Sequence, residues 1–234
     1  MTTNAVHWLD NRSHQKILDK IFVKLKQFHQ TFIDKTGEVP FNYSERSLVG
    51  HMAIAAHDCG CYTLQDYDVS VSEKVKKGKQ KRYRPDLWLE ATGFTGHDYV
   101  FEVKADYMSI GTTAGKLGSK IDRILGRAEE QLSRQALFEG KYRCALVAAR
   151  LYCSASKWQD YGDNAQSYNN TLKKLRDTVA SIAWNTYKTK PNFHCDYFIP
   201  FDVVKRLCGK DTAGREVPPF LGIVYFGSLK RYRE

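Results

Sequence analysis

No run of about 18 apolar residues occurs anywhere in this 234-residue chain, so no segment suits a bilayer-spanning helix. The opening Met1-Thr2-Thr3-Asn4 leads into His7, Trp8 and Asp10 without the basic-then-apolar order of a secretory signal. Together these absences predict a cytoplasmic protein with no membrane role. Internal repeats, coiled-coil heptads and low-complexity linkers are also missing, which excludes solenoids and long rods. The six cysteines (Cys59, Cys61, Cys144, Cys153, Cys195, Cys208) are scattered over a chain too long to need stapling, and are expected to be reduced thiols. His51, His57, Cys59 and Cys61 lie near one another, but no second pair with zinc-ligand spacing follows them. Gly111 to Lys120 is rich in Gly and Lys, yet lacks the Gly-x-x-x-x-Gly-Lys-Ser/Thr order of a phosphate loop, so ATP use is not expected.

What is present describes a folded domain. The hydrophobic fraction is 42% and the charged fraction 26%, and the length suits a single unit with a sizeable core. Net charge is +10, an excess that favours a polyanionic partner.

Apolar periodicity predicts a helix from about Asn11 to Lys35, carrying Ile17, Ile21, Phe22, Leu25, Phe28 and Phe32, closed by Gly37-Glu38-Val39-Pro40. A second helix starts near Glu45 with Ser44 as its cap, buries Leu48, Val49, Met52, Ala55 and Ala56, and stops at Cys59-Gly60-Cys61. Tyr62 to Ser72 reads as a strand. Arg84 to Ala91 and His97 to Lys104 read as a hairpin around the turn-like Thr92 to Gly96. A helix follows from about Thr112 to Phe138, although Gly115, Gly118 and Gly126 weaken it. Arg143 to Arg150 is a short apolar run, as in a buried strand. Ser154 to Lys190 is polar and becomes helical near Thr171 to Tyr187. Two further strands, Phe193 to Phe201 and Phe220 to Phe226, precede the basic tail Lys230-Arg231-Tyr232-Arg233.

The chemistry lies in Pro85-Asp86, followed sixteen residues later by Glu102-Val103-Lys104. Phosphodiester hydrolysis sets an anionic nucleophile against an anionic centre, and a hard cation answers both problems by neutralising charge and acidifying a water. Magnesium takes a few carboxylate oxygens and keeps waters and substrate phosphate, so one Asp and one Glu suffice. Strand alternation puts Glu102 and Lys104 on one face with Val103 on the other. The antiparallel hairpin then brings Asp86 to Glu102. A surface hairpin with ordinary charges would use the same residue types; alternation and flanking elements favour the chemical reading. Glu45 fits an assisting role, but an acid in a first helical turn is also favoured by the macrodipole alone. Lys74, Lys76, Lys77, Lys79, Lys81, Arg82 and Arg84 lead straight to Asp86 and suit phosphate contacts, where a plain solvated loop is the alternative. Gln131 and Gln135, one helical turn apart, are further candidates for nucleic-acid contact.

The succession of a helix opening at Glu45, a strand, the Pro85-Asp86 strand, the Glu102-Val103-Lys104 strand, a helix and a strand resembles the PD-(D/E)XK nuclease superfamily. In motif style, through Tyr43-Ser44-Glu45-Arg46-Ser47-Leu48-Val49 and the Cys-Gly-Cys turn, it is similar to Holliday-junction-resolvase-like endonucleases. The resemblance spans about residues 43 to 152. It implies an α/β, restriction-endonuclease-like fold: a central mixed sheet flanked by helices, with an extra N-terminal helix and a helical excursion. A single nuclease domain over 1–234 would then divide into an N-terminal helical extension (1–40), a catalytic core (41–153), the excursion (154–190), and C-terminal strands with a basic tail (191–234). It implies a Mg2+- or Mn2+-dependent DNA endonuclease acting in DNA processing, recombination or defence. Asp86, Glu102 and the Val103 carbonyl would bind metal, Lys104 would act on the water, and Glu45 would add a metal or water contact. The expected partner is double-stranded or branched DNA, with a homodimer to cut two strands. The Gln-x-x-x-Tyr signature of related exonucleases is absent after Gln131 and Gln135. A catalytically silent nucleic-acid-binding module, or a structural component of a DNA-handling complex, is the alternative on the same fold.

Overall fold

A computed structural model describes residues 6–10, 15–66, 84–91, 97–134, 142–161, 164–208 and 219–231. Its strands are β1 (His7–Trp8), β2 (Tyr62–Gln65), β3 (Leu87–Glu90), β4 (Asp98–Ser109), β5 (Tyr142–Tyr152), β6 (Phe193–Phe198) and β7 (Phe220–Arg231). They form one seven-stranded mixed sheet in the order β1-β6-β7-β5-β4-β3-β2. Only β4 and β5 run parallel; the other described pairs are antiparallel. A parallel pair needs a long crossover, and α3 (Ala114–Arg134) provides it.

The remaining helices are α1 (Lys16–Thr36), α2 (Glu45–His57), α4 (Ala155–Tyr161), α5 (Ala165–Ala180) and α6 (Phe201–Leu207). Helix α1 buries Ile17, Leu18, Ile21, Phe22, Leu25, His29 and Ile33, the stripe that three- and four-residue spacing dictates. Gly37 ends it in the left-handed region, its amide returning to the Ile33 carbonyl. Ser44 caps α2 by accepting from the Ser47 amide at 3.2 Å.

The helices form two layers around the sheet. Helix α1 covers one face, where Gln15 accepts from the Tyr99 hydroxyl and His29 meets the Tyr225 hydroxyl. Helices α3 and α5 cover the other. There Lys120 pairs with Asp106 at 3.1 Å, Glu129 accepts from Ser228, and Arg176 makes a two-nitrogen contact with Asp196. Phe193 lies over its register partner Gly227, where an added Cβ would stand 2.0 Å from the ring. The glycine is thus a packing requirement. Gly118 serves α3 in the same way, because its bare surface admits the Tyr187 ring.

Several expected boundaries move. The helix expected at Thr171 to Tyr187 instead spans Ala165–Ala180, six to seven residues earlier; it starts at the Asn164 cap and buries Tyr168, Leu172, Leu175 and Val179. Strand β4 runs on to Ser109. Strand β7 takes in Lys230 and Arg231, which the sequence assigns to a tail. Strand β1 and helix α6 carry too few residues to show periodicity. The expected strand from Tyr62 is described only to Gln65, and the turn from Thr92 to Gly96 lies outside the described residues. No helix among the described residues is long and apolar enough to cross a membrane.

Candidate active site

The sheet register explains why the acids meet. Strand β3 begins at Leu87, opposite Phe101 of β4, so Asp86 falls just beyond the pairing and beside Glu102. From Glu102 onward that side of β4 has no strand neighbour among the described residues. Its outward amides take side-chain acceptors instead. Asp86 Oδ2 accepts from the Val103 amide at 2.7 Å, and Glu45 Oε2 accepts from the Ala105 amide at 2.8 Å. The N–H and C=O of one strand residue point to the same edge, so the Val103 carbonyl faces the side that Asp86 occupies.

Lys104 links the acids. Its Nζ donates to Glu102 Oε1 at 2.7 Å and lies 3.5 Å from Glu45 Oε1. The Glu102 side chain is only 3% exposed, whereas Lys104 and Glu45 are 23% and 38% exposed. The cluster therefore grades from a buried carboxylate to a solvent-facing one.

The electrostatics are those of crowded acids. Burial, then the nearby Asp86 charge, pushes the Glu102 carboxyl up to about 7 despite the Lys104 bond. Burial also raises Asp86, against the pull of the Val103 amide and Lys104. Burial opposes the Lys104 charge, yet Glu102, Glu45 and Asp86 outweigh it and hold the ammonium above its usual pKa. The Asp86 charge raises the proton affinity of Glu102, and Glu45 and Asp66 add to that of Asp86, so the acids form a donor set that a divalent cation would relieve. The described residues contain no group of three or more His, Cys, Asp or Glu side chains poised as a metal cage. Two carboxylates and a backbone carbonyl remain compatible with magnesium, which keeps much of its own water.

The structure thus brings Asp86, Glu102, Lys104 and Glu45 together. It adds Asp66, which the sequence reading passed over. Asp66 ends β2 with a φ of 47°, its amide reaching the Asp86 carbonyl at 3.3 Å and its carboxylate pairing with Arg46 at 3.1 Å. An Asp at a strand end, one place beyond the pairing of Gln65 with Leu87, was the available signal. Arg84 is exposed two residues before Asp86. Gln131 is exposed near the C-terminal end of α3, with no described hydrogen bond to the cluster. Lys74, Lys76, Lys77, Lys79, Lys81, Arg82 and Gln135 lie outside the described residues. Comparisons with protein-family models, curated proteins and solved structures returned no match to this chain.

Proposed function

We propose that this protein is a metal-dependent DNA endonuclease of the PD-(D/E)XK type, built on a restriction-endonuclease-like fold. The observation that carries the reading is the convergence of Glu45, Asp86, Glu102 and Lys104 along one unpaired edge of β4. Asp86, Glu102 and the Val103 carbonyl are the groups to hold Mg2+ or Mn2+, and the ion would supply charge neutralisation and an acidified water. Asp86, fixed by the Val103 amide, keeps its orientation whether or not it is ligating. Lys104, kept charged by its acidic neighbours, can donate to the attacking water or to phosphate oxygens as they gain charge. Glu45 steadies that ammonium from the solvent side while holding the strand edge.

The net charge of +10 supports a nucleic-acid substrate, and cutting both strands of a duplex supports a working homodimer. Incubating purified protein with supercoiled plasmid and Mg2+ or Mn2+ tests the reading. Nicking should appear, stop with chelator, and fall at least about 100-fold in Asp86→Ala and Lys104→Ala. Persistent nicking by either variant would remove the assignment. Salt-sensitive DNA binding without cleavage under either metal would instead assign a catalytically silent nucleic-acid-binding module.

A further inference from the structure

A groove on the α3 side of the sheet is unused by this chemistry. It consists of two adjoining cavities of about 270 and 700 Å³, both bordered by Glu129, Ser228 and Lys230. Arg143 and Arg231 flank the smaller cavity, and Lys188, Lys190 and Trp184 flank the larger. Among the described residues, five cations thus face two carboxylates, Glu129 and Asp10. Glu129 is already committed, accepting from Ser228 at 2.6 Å and pairing with Lys230 at 2.7 Å. Trp184 is half-buried, its ring 5.8 Å from that of Phe226, so it offers a supported aromatic surface amid positive charge.

We propose that this groove binds a short single-stranded nucleic-acid segment, stacking a base near Trp184 and neutralising phosphates with Lys188, Lys190 and Arg231. An aromatic platform with a basic track is how single strands are held without sequence reading. The larger cavity falls within the roughly 300–1,000 Å³ of small-ligand sites, a size that suits a few nucleotides and not a duplex. Position adds to the argument. Glu102, Ala145 and Ser228 are successive register partners across β4, β5 and β7, and Ala145 and Ser228 both border the groove. At about 4.8 Å per strand, Ser228 lies roughly 10 Å from Glu102. The inference deepens the nuclease reading and rests on it for the origin of the strand, a frayed or displaced end of the substrate.

The test is fluorescence anisotropy of a labelled ten-nucleotide oligothymidine with the full chain, across a salt series. The triple variant Lys188→Ala, Lys190→Ala, Arg231→Ala should bind about tenfold or more weakly, with its salt slope reduced by about 2, as expected for three lost phosphate contacts. Trp184→Phe should keep the fold and lose the tryptophan quenching that the parent protein should show on binding. Unchanged affinity and slope in the triple variant would overturn the proposal. Equal binding of heparin, insensitive to Trp184→Phe, would overturn the nucleic-acid assignment. Asp86→Ala separates the two ideas: it should abolish nicking while leaving oligothymidine binding intact. Absence of nicking in the parent protein with groove-dependent binding would sink only the nuclease reading.

Discussion

Asp86 accepts its hydrogen bond from the amide of Val103, the residue between the second acid and the lysine. One carboxylate therefore holds the strand that carries its partners. Asp86→Asn retains an acceptor for that amide and should change stability by less than about 1 kcal/mol, while nicking falls at least about 100-fold. Asp86→Ala should lose activity and also about 1–2 kcal/mol, because the amide loses its partner. Urea unfolding beside plasmid nicking measures both, and equal stability losses in the two variants would contradict the role given to the bond.

Crowded carboxylates predict stabilisation by metal. Mg2+ at about 100 times its dissociation constant should stabilise the fold by about 2.7 kcal/mol, read as a rise in Tm. Glu102→Gln should remove most of the rise. A metal response undiminished in that variant would place the ion elsewhere.

Acid should weaken the core between α1 and α2. His29 is fully buried and faces His51 at 5.7 Å between ring centroids, and neither Nδ1 finds a hydrogen-bond partner among the described residues. Burial, then the neighbouring His51, lowers His29 to about 3, and burial lowers His51 to about 4. Below about 6.5 the unfolded chain binds protons that the folded one refuses, so stability is full above that pH and lost as pH falls toward the folded values. His29 alone should cost about 2–3 kcal/mol between pH 6.5 and 4.5. His51→Phe, set beside the Phe28 ring at 4.8 Å, should remove the His51 share and leave a shallower profile carried by His29. Denaturant unfolding at both pH values checks this, and a flat profile in the parent protein would refute it.

Two glycines should respond oppositely to alanine. Gly227→Ala drives a methyl into the Phe193 ring and should cost about 1–3 kcal/mol. Gly115→Ala meets nothing within 4 Å and should gain up to about 1 kcal/mol through helix propensity. Thermal unfolding distinguishes the signs, and equal losses at both positions would refute the packing account.

The grouping of Asp86, Glu102 and Lys104 was legible because they sit at the register of a hairpin, where alternation is local. Ser44 and the buried positions of α2 were legible for the same reason. Invisible in the letters was what Asp86 and Glu45 grip: the amides of Val103 and Ala105 need acceptors only because β3 stops at Leu87. The full length of β7 was hidden because Gly227 interrupts its apolar pattern after Phe226, and only the Phe193 ring packed against it explains that gap. Strand β1 exists through two residues paired with β6 from the far end of the chain, a contact no local window contains.

The lone parallel pairing of β4 with β5 carries a kinetic consequence. Both neighbours of β5 come from distant segments, β4 across the whole of α3 and β7 from beyond α4, α5, β6 and α6. High contact order slows folding, since loop-closure entropy is spent before the pairings repay it. The hairpin bearing the acids precedes β7 in the chain, so during synthesis β5 gains its second neighbour only after β7 has been made. The candidate site should therefore reach its settled geometry only after β7 has paired with β5.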